Sequence, residues 1–215
     1  MSSGQPLGRA TLGLVTFTPS TTESSQSRLD HLSWPFRTER LTIRRCTTGD
    51  LDPLWKYRGL PEVSRWTSWH PADRQDWNRY QGEPARMART LVFEHDGAIA
   101  GDLMLMVHDG WAQREAAARA HGTQAELGWA LDPTFGGRGL ATEAVRELIR
   151  ISFEELGLRR VSAGAFADNE RSVRVMERVG MRREAYKVKE SFHRDLGWLD
   201  GIEYALLADE WGTTA

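Results

Sequence analysis

A chain of 215 residues, 40% hydrophobic and 27% charged, has ordinary globular composition and room for one large or two small domains. No run approaches the roughly 20 apolar residues that span a bilayer, and "MSSGQPLGRATLG", polar and broken by Gly and Pro, lacks the layout of a secretory signal. A net charge of −2, with paired arginines balanced by acids, leaves no electrostatic footprint for nucleic acid or membrane; one cysteine, Cys46, excludes an internal disulfide and points to a reducing cytoplasm. The six histidines show no pair at ligand spacing, so no metal is implied.

Residues 1–36 contain "TPSTTESSQS" and read as a loose Ser/Thr-rich arm, with "TLGLVTF" a candidate edge strand inside it. The folded domain then takes residues 37–215. "RLTIRRC" alternates as a strand, and Cys46 at its end is expected to pack rather than react. "TTGDLDPLWKYRGL" opens with capping residues before a helix. A loop-rich stretch follows, where Trp66, Trp69 and Trp77 lie near Pro61 and Pro71; they either fill the core or line a pocket.

"ARTLVFEHDGAIAGDLMLMVH" reads as two strands joined at Asp96-Gly97, a strong hairpin signal. Residues 109–123 form an Ala- and Arg-rich insertion with no clear pattern, and "QAELGWALD" is a strand ended by Pro133. From near Leu140 a helix places Ala141, Ala144, Val145, Leu148, Ile149, Phe153 and Leu156 on one face, with Gly157 as its stop. "RRVSAGAF" is a strand, and "ADNERSVRVMERVG" a helix with Val173, Met176 and Val179 inward. "REAYKVKESFH" and "WLDGIEYALLADEW" close the chain as a strand pair across "RDLG". The pattern is α/β with a mixed sheet rather than pure alternation.

The stretch "PTFGGRGLATEAV" sets three glycines between a strand and a helix. The first N–H groups of a helix are unpaired, and its dipole adds partial positive charge. Gly137 and Gly139 remove side chains that would hold a phosphate away, Arg138 adds a full charge and Thr142 a hydroxyl. A phosphate or pyrophosphate fits. The stretch has no Gly-Lys-Ser/Thr, so it is no P-loop, and a dinucleotide fingerprint would want Gly or Ala at Thr142 and an N-terminal βαβ unit. A tight strand-to-helix turn without any ligand would use the same residues.

"ELGWALDPTFGGRGLATEAV", followed about thirty residues later by "ADNERSVRVMERVGM", resembles the GCN5-related N-acetyltransferases (GNAT), in particular their RimJ/RimL-type branch. The resemblance runs from "TERLTIRRCTTGDLDPLW" to "YALLADEW". It implies the acyl-CoA N-acyltransferase fold, a mixed central sheet with splayed strands flanked by helices, and acetyl-CoA as cosubstrate. The family's Arg/Gln-x-x-Gly-x-Gly/Ala loop, which binds the pyrophosphate, maps onto Gly136, Gly137, Arg138, Gly139, Leu140 and Ala141; Gly136 departs from Arg/Gln.

Acetyl transfer to an amine needs a base for the amine, donors for the carbonyl oxygen and a proton for the leaving thiolate. The resemblance places Trp129, Ala130 and Leu131 nearest the thioester, their backbone N–H groups being candidate donors. Glu126, on the same strand, is the candidate base, a residue that would serve equally as a solvated carboxylate. Where many relatives carry an acidic tyrosine the register here gives Met176, which cannot donate a proton. Ser172 is the candidate thiol donor, or a plain helix-surface hydroxyl, and Asn169 a candidate cofactor contact.

The acceptor, an amine of a small molecule or protein N-terminus, would enter between Trp66, Trp69 and Trp77 on one side and Phe192, His193 and Trp198 on the other. No nucleic acid or membrane is called for, and a homodimer stays open. The alternatives are a non-catalytic acyl-CoA-binding module and, disfavoured by the late position of the glycine loop, a dinucleotide-dependent oxidoreductase.

Overall fold

Asp96 and Gly97 take φ values of 52° and 78°, the signature of a two-residue type I′ turn, whose twist matches that of the strands it joins. They connect β3 (Thr90–His95) to β4 (Ala98–His108) as the alternation and the Asp-Gly pair predict. The computed structural model describes residues 28–212; the candidate edge strand in "TLGLVTF" lies outside them.

The remaining strands are β1 (Phe36–Arg37), β2 (Thr42–Arg45), β5 (Gln124–Leu131), β6 (Arg160–Phe166), β7 (Arg182–His193) and β8 (Gly197–Leu207). They form one eight-stranded sheet in the order β1-β2-β3-β4-β5-β6-β8-β7, in which β5 and β6 are parallel and every other pair antiparallel. Its mixed character follows from the connections: the short turn at Asp96-Gly97 joins an antiparallel pair, and a helix-length crossover joins the parallel pair β5 and β6.

That crossover is α6 (Leu140–Arg150), extended by a π-helical turn at Ile151–Glu155. Its apolar stripe packs with α7 (Glu170–Arg178) on one face of the sheet, against Leu91, Leu103, Leu105, Leu127, Val161 and Ile202. On the opposite face, α1 (Leu51–Arg58), α2 (Pro61–Ser64), α3 (Arg74–Gln81) and α4 (Pro84–Met87) build a second cluster around Leu54, Tyr57, Trp77, Val92 and Ala130. Cys46 belongs to this cluster, and burial pushes its thiol up to about 12, which leaves it protonated and unreactive.

Among the described residues, core packing is already present at Leu29, within the stretch expected as an arm. Leu29 is fully buried and its carbonyl accepts from the Trp34 indole at 2.8 Å. The 109–123 insertion folds as a 3-10 turn (Arg114–Ala116) and α5 (Ala117–Ala120). Its neck is closed where Gly122 donates to the Asp109 carboxylate and Gly110 to the Ala120 carbonyl, both at 2.8 Å.

Candidate active site

β5 and β6 pair only at Gln124↔Arg160, Ala125↔Val161 and Glu126↔Ser162. Beyond Glu126 both strands run on, to Leu131 and Phe166, with no pairing between them. The sheet is therefore split at its single parallel pair, and α6 and α7 both begin at the C-terminal edge of that split. Crevices of this kind, outside the carboxyl ends of parallel strands, are where open sheets take ligands.

The ladder decides which backbone groups face the gap. Asp132 donates its N–H to the Ala100 carbonyl at 2.8 Å, so residues of the same parity on β5, Ala130 and Gly128, also turn their N–H and C=O toward β4. A Cβ built on Gly101 of β4 would lie 2.3 Å from the Ala130 oxygen, which agrees. Ala130 is thus a correction to the expected donor set: its backbone belongs to the β4 ladder and its side chain to the second core. Trp129 and Leu131, one residue out of phase, direct theirs into the gap, as does Leu127. Glu126 is the last paired residue before the split, with an exposed side chain.

At the mouth of the gap the glycine loop opens α6. Gly136 differs from its neighbours: its N–H donates to Pro133 O at 2.9 Å and its φ is −62°. Gly137 and Gly139 take φ of 76° and 75°, a region L side chains rarely adopt. A Cβ on Gly137 would project into open space, where a phosphate group has room to approach. Gly139 is the N-cap of α6 and no side chain caps the helix start, so the first-turn N–H groups through Thr142 keep their capacity for an anion. Leu140 is buried in the core and offers only its backbone; Ala141 and Thr142 are half-exposed and Arg138 exposed. A cleft of about 500 Å³ beside the loop is lined by Gly139, Thr142, Arg40, Glu143, Arg146 and Arg178.

The start of α7 is built differently. Asn169 is its N-cap: its Oδ1 accepts the Ser172 N–H at 3.3 Å while its Nδ2 donates to Ser172 Oγ at 3.0 Å. The Ser172 oxygen is thereby an acceptor, which leaves its O–H free to donate elsewhere. Much of the Asn169 amide is committed to the cap. Met176 is fully buried, facing the core.

On the other side of the gap the expected acceptor residues divide. Trp66 meets His193 and Phe166 with ring centroids 5.4 and 5.9 Å apart, a cluster near the end of β6. His193 is buried; its Nε2 donates to Arg65 O at 2.8 Å and its Nδ1 accepts from the N–H groups of Asp195 and Leu196. With both ring nitrogens engaged the ring is held in position. Arg194 completes the clasp, donating to the carbonyls of Ser64 and Thr67 at 2.8 Å.

A second cleft, of about 560 Å³, lies here between Pro61, Ser64, Arg65 and His70 and the turn at His193–Leu196. Phe192 and Trp198 are 63% and 58% exposed and touch edge to face on the final hairpin. Trp69 stacks on Tyr80 at 3.9 Å. Trp77, stacked 6.2 Å from Trp69 between ring centroids, is 4% exposed with its indole N–H on Leu51 O at 3.0 Å; it packs the second core rather than a mouth, and Trp69 packs against that same core.

Three groups at the site escaped the sequence reading. Asp102 lies across the ladder from Ala130 and accepts from the Tyr57 hydroxyl and from Arg58 Nε at 2.9 Å, tying the end of α1 to β4. Burial first, and Asp102 second, keep the Tyr57 phenol well above its ordinary pKa. Arg194 and Arg40 were the others. Alternation marks all three positions only as strand or turn residues, because their partners are distant in the chain.

A family model described as an acetyltransferase (GNAT) domain matches residues 40–182. The chain is 36% identical over 178 residues to the uncharacterized N-acetyltransferase YnaD of Bacillus subtilis (strain 168), covering 81% of this chain and 97% of that protein. Among solved structures it resembles a GNAT-family acetyltransferase from Bacillus anthracis, with a TM-score of 0.69 and 26% identity over 82% of this chain and all of that one. It also resembles RimL, a ribosomal L7/L12 α-N-protein acetyltransferase solved in complex with coenzyme A, at a TM-score of 0.63 and 16% identity, covering 79% and 95% of the two chains; that likeness is one of fold alone.

Proposed function

The chain belongs to the GNAT family of acetyl-CoA-dependent N-acetyltransferases, and on that premise we propose that it moves the acetyl group directly to a primary amine in the crevice between β5 and β6. The observation that carries the reading is the coincidence of two unsatisfied backbone sets at one edge: the free side of β5 and the uncapped start of α6. The first suits an extended amide-bearing arm and the second a pyrophosphate. Gly137, Arg138, Gly139, Ala141 and Thr142 would hold the phosphates, and Leu127, Trp129 and Leu131 the arm. What acetyl-CoA supplies when bound is an activated thioester carbonyl.

The residues then divide the work. The Trp129 and Leu131 N–H groups, fixed by the strand, stand ready for the carbonyl oxygen as it gains charge. Glu126, at the root of the split, takes the proton of the attacking amine, directly or through one water. A free α-amine titrates near ~8, so a base of modest strength suffices. The C–N bond forms as the C–S bond breaks. The Ser172 hydroxyl, held by Asn169, gives its proton to the departing sulfur and is reprotonated from solvent, which in turn receives the proton taken by Glu126. No covalent enzyme intermediate is required.

The acceptor is a primary amine of a small molecule or a protein N-terminus, entering past Trp66, Trp69, Phe192 and Trp198. Such a mouth favours an apolar or cationic amine over a strongly anionic one. The test mixes the purified protein with acetyl-CoA and a panel of amine classes and follows free thiol. Amine-dependent thiol release supports the reading. Calorimetric binding of acetyl-CoA without turnover on any amine would favour a non-catalytic acyl-CoA-binding module, and absence of binding would overturn the assignment of the crevice.

A further inference from the structure

The first turn of α6 carries a carboxylate, Glu143, beside the N–H groups proposed for the pyrophosphate. An acid there favours the helix dipole, but it also repels an incoming anion. The structure does not leave it bare. Its Oε1 accepts from the Thr38 hydroxyl at 2.5 Å and from the Arg40 N–H at 3.1 Å. Its Oε2 accepts from Arg40 Nε at 2.7 Å and pairs with Nη2 at 2.5 Å. The turn that presents these groups is itself closed, by Thr38 N–H on Leu41 O at 3.0 Å and Leu41 N–H on Thr38 Oγ at 2.9 Å.

One guanidinium nitrogen remains, and it reaches the loop. Arg40 Nη1 donates to the Arg138 carbonyl at 2.9 Å. The peptide unit joining Arg138 to Gly139 is planar and trans, so its C=O and N–H point in opposite directions. Holding the carbonyl against Arg40 therefore turns the Gly139 N–H to the side opposite Arg40. Gly137 and Gly139, both in the left-handed region, flank this unit. Without a tether, glycines on either side would let it rotate.

We propose that Arg40 is a positioning residue for the anion loop: one guanidinium neutralises Glu143 and, through the Arg138 carbonyl, holds the Gly139 N–H in the direction a phosphate oxygen needs. The proposal rests on the reading of this loop as the pyrophosphate site. It gives a role to a residue that lies 98 positions from the carbonyl it holds.

The test is a double-mutant cycle read by calorimetry with acetyl-CoA, with melting temperature followed in parallel. Loss of a charge-assisted contact of this kind is worth about 1.5–3 kcal/mol, so Arg40→Ala should weaken acetyl-CoA by about ten- to a hundredfold. Glu143→Gln alone should leave affinity unchanged or tighter, and adding it to Arg40→Ala should recover roughly three- to tenfold by removing the uncompensated charge.

Affinity within twofold of wild type in Arg40→Ala, or a loss that neutralising Glu143 does not relieve, overturns the proposal. So does a lower melting temperature with unchanged affinity, the mark of a merely structural Arg40. Should Arg40→Ala not fold, Arg40→Lys decides: it keeps the charge but not the fork to the Arg138 carbonyl, and must still bind several-fold more weakly. Wild-type protein that fails to bind acetyl-CoA would instead overturn the loop assignment itself, whatever Arg40 does.

Discussion

α6 and α7 begin at the same edge of the sheet, and they complete their first turns in opposite ways. α7 caps itself: Asn169 satisfies the Ser172 N–H and at the same time orients the Ser172 hydroxyl. α6 begins on Gly139, which has no side chain to offer, and its first N–H groups face outward with a cleft beside them. Every helix start must satisfy its orphan donors with protein, water or ligand. The difference separates a terminus that holds the hydroxyl proposed to protonate the thiolate from one left open for the anion proposed to complete it.

Breaking the open terminus should have the largest effect. Gly139→Val puts a β-branched residue at φ 75°, a conformation costing about 1–2 kcal/mol for an L-residue, and the loop must move to relieve it. Acetyl-CoA binding should become undetectable by calorimetry while circular dichroism stays native. Unchanged affinity would remove the open start of α6 as the anion site.

The same contrast between groups the fold satisfies and groups it leaves open divides the tryptophans. Trp77, buried with its N–H bonded, should lose about 3–5 kcal/mol of stability on replacement by alanine. Trp198→Ala, at an exposed position, should leave the melting temperature within a degree or two, on the order of the effect of an ordinary surface change, and raise the acceptor KM. A stability loss in Trp198→Ala with unaltered KM would return it to a packing role.

Ser172→Ala and Glu126→Gln should each lower kcat by roughly ten- to a thousandfold with acetyl-CoA affinity preserved. The Glu126 variant should also alter the acidic limb of the pH–rate profile. Full turnover in both would leave positioning as the main catalytic device.

Asn169→Ala sharpens the view of the capped terminus. It should cost about 1 kcal/mol of stability, the usual value of an N-cap, and lower kcat less than Ser172→Ala does, because the hydroxyl survives without its guide. Asn169→Ser keeps the cap and should restore stability but not the full kcat. Equal kcat in Asn169→Ala and wild type would confine Asn169 to helix stability.

The smallest effect concerns pH. Burial alone would raise the Glu143 carboxyl, but the Thr38 hydroxyl and the Arg40 side chain and N–H outweigh it and hold it below the usual range. A carboxylate held low contributes stability that is complete above its unfolded value near 4.5 and lost as pH falls through its native value. Glu143→Gln should therefore flatten the fall in melting temperature below about pH 4.5 and leave the slope near neutrality untouched. An unchanged acid limb would mean the Arg40–Glu143 pair contributes nothing to folding.

Most of the fold was legible in the sequence because its elements are marked locally. Asp96-Gly97 announced a hairpin, the spacing of Ala144, Val145, Leu148 and Ile149 announced α6, and Gly157 and Gly180, with φ of 63° and 86°, end their helices as their positions suggest. The glycine turn proposed as the anion loop was legible for the same reason. Gly137 and Gly139 are adjacent to the helix they open, so strand, turn and helix register in one window.

What that window could not contain is everything set by pairing at a distance. Alternation locates β5 but neither the residue at which it parts from β6 nor the β4 ladder that turns Trp129 and Leu131, not Ala130, to the gap. Composition made Trp77 and Trp198 equivalent candidates; packing against α1 buries one, and the hairpin exposes the other. Arg40 reaches Glu143 across 103 residues, and His193 reaches Arg65 across 128. The chain's periodicity and turn residues determined which elements form and where a glycine turn opens a helix. Only the tertiary structure decided which side chains guard that place, since a contact between distant residues leaves no period in either segment and exists only once the sheet has brought them together.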